Sequence, residues 1–415
     1  MKNSRTRVHF NQPETRPRIL LFLASFLLLA SFIDSYTISH IPYVHNIGSV
    51  VGIFLLLSFL SLRLNKAHFL AQDCRFVLMF IVLSGFIEVV RILSIGTSEV
   101  FIALREFFQY VQVVILYLIF FDLAQDPRFM RWTGIAFLTG TTIMSIAANL
   151  NIGRLTRGDE DSRFGLIGLN YNMQGLLYSL GIILIMCWVL SRFHCLKGRD
   201  LFLGVCSLSM MYALVKTGSR SAALTLAAGT LITLILFFHR KRLGAYVTIV
   251  PIILIVMTLV YQEGNVLQKR FQKTLQTGDT SLRVEIAGSG FDLFLEQPVF
   301  GYGAQYSRDL GDYMQKSRRL AAHNLYLQIL LAFGMVGFFP FLIAVVRTLR
   351  TSLLNRKSPQ VAIVLALFAS LLFAGASGNL GHEKIFWIIF AIAGRSSAIS
   401  KMMAFSLYPP PPRRI

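Results

Sequence analysis

The chain has 415 residues, of which 55% are hydrophobic and only 14% are charged. A soluble domain of average composition carries about 45–50% apolar and about 25% charged residues. The apolar residues of this chain come in long uncharged blocks, which excludes a disordered, collagenous or disulfide-stapled chain and a string of soluble domains. The composition therefore predicts a polytopic membrane protein.

The net charge of +20 could indicate a nucleic-acid partner in a soluble protein. In a membrane protein, however, Lys and Arg mark the cytoplasmic connections. If the N-terminus lies in the cytoplasm and the apolar blocks alternate in direction, basic residues concentrate inside and acidic residues outside. The topology accounts for the charge, and we expect no nucleic-acid partner.

Twelve blocks approach the length of about 20 mostly apolar residues that a membrane-spanning helix needs. The last block is the weakest, because Arg395 interrupts it early. The predicted fold class is an all-α polytopic membrane protein with about twelve transmembrane helices and one long outer loop between the ninth and tenth. The blocks centre on Leu20–Ile33, Ile47–Leu62, Phe76–Val90, Phe108–Phe121, Trp132–Leu150, Met173–Leu190, Leu201–Val215, Ser221–Phe238, Val247–Tyr261, Leu325–Val346, Val361–Gly375 and Ile385–Gly394.

The blocks divide the chain into five regions. Residues 1–18 are a basic cytoplasmic arm, 19–261 hold spans one to nine, 262–322 form the long outer loop with short helices, 323–398 hold spans ten to twelve, and 399–415 are a cytoplasmic tail. Within the loop, apolar residues recur at helical spacing from Ser281 to Gln297, which predicts a helix that Pro298 ends. Gly301, Tyr302 and Gly303 then predict a turn.

Four polar motifs lie at outer ends of the predicted spans, where ionisable residues are candidates for function. In Lys216–Ala222, Thr217 or Ser219 can cap the eighth helix, and Arg220 beside its free N–H groups suits a phosphate. The second motif is Arg283, an exposed loop arginine, and the third is His323 with Asn324, where the histidine could act as a base. The fourth is a polar loop suited to sugar hydroxyls or to a turn, with Arg163, Asn170 and Asn172.

Each motif also has a purely structural explanation. Arg220 could reach lipid head groups, Arg283 could be an ordinary loop residue, and His323 could be a polar helix end. Glu88 and Arg91 lie one turn apart at an outer helix end, which predicts a local ion pair.

Taken in order, these motifs resemble the bacterial O-antigen ligase and polysaccharide polymerase superfamily. The resemblance rests on Arg163-Phe-Gly and Asn170-Tyr-Asn, Gly218-Ser-Arg-Ser-Ala, Ser281-Leu-Arg, Glu296-Gln-Pro-Val-Phe-Gly-Tyr-Gly and His323-Asn-Leu-Tyr-Leu-Gln, and it covers roughly residues 163–339. The chain departs from the family pattern at Tyr171, where a proline is common, and at 284–293, where a tryptophan is common.

The resemblance implies an inverting glycosyltransferase that uses neither metal nor other cofactor. Such an enzyme takes a glycan from a polyprenyl-pyrophosphate carrier at the periplasmic face of the inner membrane and transfers it to a sugar hydroxyl. By resemblance, Arg220, Arg283 and His323 are the catalytic residues, and we expect substrate contacts from Arg163, Asn170, Asn172, Ser219 and Asn324. The site would be periplasmic and both termini cytoplasmic.

Within the family, the acceptor is either another repeat unit, as in a polymerase of O-antigen or exopolysaccharide, or lipid A-core, as in a ligase. We favour the polymerase slightly. Outside the family, a twelve-helix transporter is the main alternative, but the long loop lies outside and late, and the spans carry few charges for a coupling ion. A non-catalytic assembly or lipid-binding membrane protein is a further alternative.

Overall fold

The structure is a computed structural model that describes residues 18–34, 47–63, 74–94, 97–152, 170–191, 198–238, 266–277, 282–316 and 319–407. Within these ranges the regular secondary structure is entirely helical, as the sequence predicts. The helices are α1 Arg18–Asp34, α2 Ile47–Arg63, α3 Arg75–Ser94, α4 Thr97–Leu123, α5 Pro127–Asn149, α6 Tyr171–Ser191, α7 Gly198–Thr217, α8 Arg220–Phe238, α9 Val266–Thr277, α10 Arg283–Glu296, α11 Tyr306–Tyr313, α12 Leu325–Leu354, α13 Pro359–Gly375, α14 Lys384–Gly394 and α15 Ser396–Leu407.

Helices occupy eleven of the twelve predicted blocks, and the ninth block, Val247–Tyr261, lies outside the described residues. Six described helices are long and apolar enough to cross a membrane, namely α3, α4, α6, α7, α8 and α12. The apolar helices α1, α2, α13 and α14 are shorter. The helix predicted between Ser281 and Gln297 is confirmed as α10, which ends just before Gln297.

Helix α14 explains why the last block looks weak as a membrane span. Its 11 residues are nearly all buried, so it lies inside the helix bundle and its partners are protein side chains. Arg395, the residue that interrupts the block, is held by α4. Its guanidinium lies 4.2 Å from the ring centre of Phe121, and its Nε donates to the Phe121 carbonyl at 3.2 Å. A cation–π contact and a backbone acceptor stabilise the charge at the end of a buried helix.

Helix α12 is broken at Gly334, and a piece of the long loop fills the break. Gly334 has φ 56° and ψ −162°, a conformation open essentially to glycine alone. The break opens two bonds that an unbroken helix would make, from the amides of Met335 and Val336 to the carbonyls of Leu331 and Ala332.

Residues 298–303, which we call the docked segment, satisfy all four of the groups that the break frees. Tyr302 and Gly303 donate to the carbonyls of Leu331 and Ala332 at 2.7 Å each. Met335 and Val336 donate to the carbonyls of Pro298 and Val299 at 2.9 and 3.2 Å. The chain turns at residues 298–300, just before the turn predicted at 301–303. Residues 298–303 form a backbone junction between the loop and α12, and this junction fixes α10 relative to α12.

The prediction of a local ion pair between Glu88 and Arg91 is wrong. Arg91 Nη2 instead pairs with Asp309 Oδ2 of α11 at 2.9 Å, and Glu88 Oε2 accepts from the Ala304 amide at 2.8 Å. Both carboxylates belong to the packing of α3 against the loop. Spacing along α3 could not reveal this, because Asp309 and Ala304 lie more than 200 residues further along the chain.

Candidate functional site

The junction of α7 and α8 carries Arg220 on the first turn of α8. Gly218 has φ 60°, which lets the chain reverse between the two helices. The buried Thr217 accepts from the Ser219 amide at 3.3 Å, and Ser219 Oγ accepts from the Ala222 amide at 3.4 Å. Ser219 is therefore placed as the N-cap of α8, one of the two residues that the sequence offered for that position.

The Asn170–Asn172 motif contacts this junction directly. Asn170 Oδ1 accepts from the Asn172 amide at 3.0 Å at the start of α6, and Ser219 Oγ donates to Asn172 Oδ1 at 3.1 Å. The approach depends on Gly175, because a Cβ there would lie 2.8 Å from the Cβ of Ala222. Two motifs separated by about fifty residues thus share one hydrogen-bonded corner.

Arg283 begins α10 and reaches the connection between α13 and α14. Its Nη1 donates to the Ser377 carbonyl at 3.2 Å. Leu282, just before it, has φ 62°, an uncommon conformation for a residue with a branched side chain. The backbone at this point is held by its surroundings in a form that turns α10 toward the α13–α14 connection.

His323 immediately precedes the cap of α12 and is partly buried. It has φ 50°, a left-handed conformation that costs about 1–3 kcal/mol and that clusters at active sites. Burial, and then the positive charge of Arg283, lower the pKa of His323 below its usual 6.5. The imidazole is therefore neutral at pH 7 and able to accept a proton. Asn324 caps α12, since its Oδ1 accepts from the amides of Tyr326 and Leu327 at 2.9 and 3.2 Å.

These elements surround a cavity of about 260 Å³, which we call the reaction cavity. It lies between the starts of α6 and α8, the residues before α12, and the α13–α14 connection. Its polar lining residues are Asn170, Asn172, Ser221, Thr225, His323, Ser377, Asn379, His382 and Glu383.

The predicted site residues divide between the wall of this cavity and the layer behind it. Asn170, Asn172 and His323 line it. The others adjoin lining residues: Ser219 bonds to Asn172, Arg220 precedes Ser221, Arg283 bonds to Ser377 and Asn324 follows His323. Arg163 lies outside the described residues.

The α13–α14 connection is the part of the cavity that sequence reasoning missed. Burial lowers the pKa of His382 to about 4 and raises that of Glu383 to about 7, the latter opposed by the charge of Lys384. Asn379 Oδ1 accepts from Tyr306 at 3.5 Å. The available signal was a run of polar residues between two apolar blocks, at an outer connection of the predicted topology.

The missed connection is anchored from both sides. Gln328 of α12 accepts from the Gly381 amide at 3.1 Å and donates to the Tyr110 hydroxyl at 3.1 Å. Trp387 of α14 donates to the Gly381 carbonyl at 2.9 Å. The ring of His382 packs on Tyr110 with centres 4.2 Å apart. These contacts hold the polar groups of the connection in fixed positions at the cavity wall.

The arrangement provides three chemical elements in one place. A neutral imidazole and a carboxyl group with a pKa near neutrality can both accept a proton. Arg283 bonds to Ser377 of the wall and Arg220 directly precedes the lining residue Ser221, and guanidinium binds phosphate oxygens in pairs. The amide and hydroxyl groups of the wall can bind sugar hydroxyls.

Comparison with known families agrees with this combination. Residues 205–342 match the family model described as O-antigen ligase, whose members are glycosyltransferase-like membrane enzymes. The match contains the α7–α8 junction, α10, the docked segment, His323 and the break in α12. A search of curated proteins finds no match. The chain therefore contains an O-antigen ligase domain, and this match supports its resemblance to the O-antigen ligase-like superfamily of membrane proteins.

Proposed function

We propose that this protein transfers a glycan from a polyprenyl-pyrophosphate carrier to a sugar hydroxyl at the periplasmic face of a bacterial inner membrane. The observation that carries the proposal is the reaction cavity, where a neutral His323 lies within the electrostatic reach of Arg283 inside an O-antigen ligase domain. Repeat-unit polymerisation is the reaction we favour, and ligation to lipid A-core is its alternative.

The proposed topology has twelve spans, both termini in the cytoplasm, and residues 262–322 as a periplasmic loop. The composition of the reaction cavity supports it. Its wall comes from residues 170–172, 221–225, 321–323 and 374–383, and each of these stretches includes or adjoins a connection that strict alternation assigns to the outer side. One span more or fewer between any two of these stretches would put them on opposite sides of the membrane.

In the proposed reaction, the oxygen of the acceptor hydroxyl attacks the anomeric carbon of the donor glycan. The bond from that carbon to the pyrophosphate oxygen breaks, and polyprenyl pyrophosphate leaves with one more negative charge. A single displacement inverts the anomeric centre. Arg220, Arg283 and the N-terminus of α8 stabilise the growing charge on the leaving group, because guanidinium groups stay charged and the helix N–H groups point toward an anion.

His323 takes the proton of the attacking hydroxyl. Its lowered pKa keeps it unprotonated at neutral pH, so it is ready to act as a base. Glu383 is the second group at the wall that could take this proton, since its pKa of about 7 lies near the working pH. Asn170, Asn172 and the other amide and hydroxyl groups bind the sugars. The chemistry needs no metal in this proposal.

The proposal is tested with purified protein in nanodiscs, a polyprenyl-pyrophosphate-linked repeat unit, and EDTA throughout, with and without lipid A-core. A ladder of longer lipid-linked glycans without lipid A-core identifies a polymerase. One adduct that needs lipid A-core identifies a ligase. His323→Ala should remove the product, whereas Gly288→Ala, on α10 with no atom within 4 Å of its added Cβ, should not.

Absence of product with both acceptors, both in EDTA and with a divalent cation added in its place, would refute the transferase. If carrier transport across the bilayer of proteoliposomes were then found, the transporter alternative would replace it. Product that disappears with EDTA and returns with a divalent cation would refute the metal-free mechanism.

A further inference from the structure

A second cavity of about 530 Å³ lies between the outer end of α3, the docked segment and α11. We call it the lipid-facing groove, and it shares no lining residue with the reaction cavity. The residues that matter for its chemistry are Phe86, Arg91, Ser94, Gln297, Phe300 and Asp309.

One wall of the groove is apolar and continues into the lipid-facing surface of α3. Phe86 and Val90 in this wall are 59% and 52% exposed, although they lie on a helix suited to cross a membrane. Their neighbours Val89 and Leu93 are also exposed, at 57% and 82%. Large apolar side chains exposed on a membrane-spanning helix face lipid, so a molecule anchored in the bilayer can enter the groove from the side.

The floor of the groove is polar. Arg91 and Asp309 form the 2.9 Å ion pair described above, and Ser94 and Gln297 lie beside them. Behind this floor, the buried atoms Arg91 Nε and Glu88 Oε1 have no hydrogen-bond partner, and Glu88 is 1% exposed. Gly303 closes the floor, because a Cβ there would lie 2.5 Å from Arg91 Cδ. The groups that the floor offers to a ligand are the polar atoms of the ion pair, of Ser94 and of Gln297.

We propose that the lipid-facing groove binds the membrane-anchored glycolipid acceptor through the sugars next to its lipid. This inference rests on the proposed glycosyl transfer. Phe300 and Phe86 present aromatic faces against which the apolar face of a sugar ring packs. Carboxylate, guanidinium, amide and hydroxyl groups then bind the sugar hydroxyls. The combination of a lipid-exposed wall and a polar floor fits a molecule that is part lipid and part glycan.

The charge of the groove suits the sugars of a glycolipid better than a pyrophosphate. Asp309 neutralises Arg91, and Glu88 adds a second carboxyl group nearby, so the groove offers no excess positive charge for a pyrophosphate. The two arginines assigned to the pyrophosphate, Arg220 and Arg283, adjoin the other cavity. Uncharged sugar hydroxyls are the better match for a neutral floor.

Helix α11 connects the two cavities over a short distance. Its first residue, Tyr306, contacts Asn379 of the reaction cavity, and Asp309 lies on the floor of the groove. Three residues of helix rise about 4.5 Å, so the two contacts are less than one turn apart along α11. Both cavities therefore border the same short helix, and in this proposal the acceptor extends from the groove past α11 toward His323.

Photo-crosslinking tests the groove at a single position. p-Benzoylphenylalanine replaces Phe300 in the full-length protein in nanodiscs, and the control carries it in place of Phe101, a 76% exposed phenylalanine that does not line the groove. The two probes are lipid A-core and the polyprenyl-pyrophosphate-linked repeat unit, and competition uses polyprenyl pyrophosphate without sugar. We expect one glycolipid to crosslink at position 300 and not at 101, without competition from the sugarless carrier. Gln297→Ala should raise the concentration for half-maximal crosslinking about tenfold, the loss of about one good contact.

The probe that crosslinks names the acceptor, which is lipid A-core for a ligase and the repeat unit for a polymerase. Equal crosslinking at both positions, crosslinking of phospholipid alone, or competition by the sugarless carrier would overturn the assignment. Crosslinking that persists in a protein without transfer activity would support the groove and refute the proposed function. Transfer activity without crosslinking at position 300 would support the proposed function and refute the assignment of the groove.

Discussion

Gly334→Ala should break the junction between the long loop and α12. An alanine Cβ at this position would lie 2.3 Å from the Val299 carbonyl oxygen and 2.6 Å from the Phe300 amide nitrogen. Both are backbone atoms, so no side-chain rotation relieves the clash. The φ of 56° with ψ of −162° adds a strain of about 1–3 kcal/mol for a residue with a Cβ.

The hydrogen bonds of the junction set the rest of the magnitude. If the docked segment withdraws, four backbone bonds are lost, each with a net contribution of about 0.5–1.5 kcal/mol. The combined loss corresponds to a drop of roughly 5 °C in the apparent unfolding midpoint. The transfer rate should fall by about 100-fold, the effect of misplacing reacting groups by about 1 Å, because the junction fixes α10 with Arg283 relative to His323.

The assay compares purified wild type, Gly334→Ala and Gly288→Ala by scanning fluorimetry in detergent and by transfer in nanodiscs. Gly288 is the control, since it is a glycine of the same loop–α12 region but has no atom within 4 Å of an added Cβ. Gly288→Ala should leave both readouts unchanged or raise the midpoint slightly, as alanine favours helix. If Gly334→Ala unfolds at the same temperature as Gly288→Ala and transfers at the same rate, the junction does not position the site.

Three further predictions concern the reaction cavity. Arg220→Lys and Arg283→Lys should each lower turnover about 100-fold or more, because lysine lacks the planar pair of donors. Near wild-type turnover of either variant would count against bidentate phosphate binding. In a pH series, transfer should fall only below pH 6.5, as His323 becomes protonated. In Arg283→Gln this acid limb should move to higher pH, because loss of the positive charge raises the pKa of His323. If the limb does not move, a group other than His323 causes it. Glu383→Gln should keep the acid limb of His323 and lower turnover modestly if Glu383 only binds substrate, whereas loss of all transfer would make Glu383 the base.

Most helix positions could be predicted from the sequence because a membrane helix is defined locally, by a run of apolar residues. The blocks from Met173 to Leu190 and from Ser221 to Phe238 lie within α6 and α8 almost to the residue. The break at Gly334 could not be predicted, since it depends on a partner segment some thirty residues earlier in the chain. Glycine inside an apolar run is also common in membrane helices that have no break.

Site residues could be predicted where one short motif contains both the residues that form the turn and the residues that carry the reactive groups. Ser219 caps α8 and Asn172 accepts its hydrogen bond, because both lie at helix ends that the packing of α6 against α8 brings together. Glu383 and His382 escaped notice because their chemistry comes from burial, which raises one pKa and lowers the other. An exposed Glu or His at a connection looks the same in the sequence. The environment that makes these two residues functional candidates is built by Gln328, Tyr110 and Trp387.

The docked segment couples the two cavities. Phe300 and Tyr302 form part of the lipid-facing groove, while the backbone of the same residues and their neighbours fills the break in α12, whose first turn follows His323. A movement of this segment would therefore change the shape of the lipid-facing groove and, at the same time, the distance between Arg283 and His323. In the proposed reaction, two glycolipids reach the protein from the bilayer, and their reacting atoms must meet within about 3–3.5 Å of each other. A rigid backbone junction between the groove and the cavity is what such a meeting needs, because it sets the relative position of both substrates before either arrives.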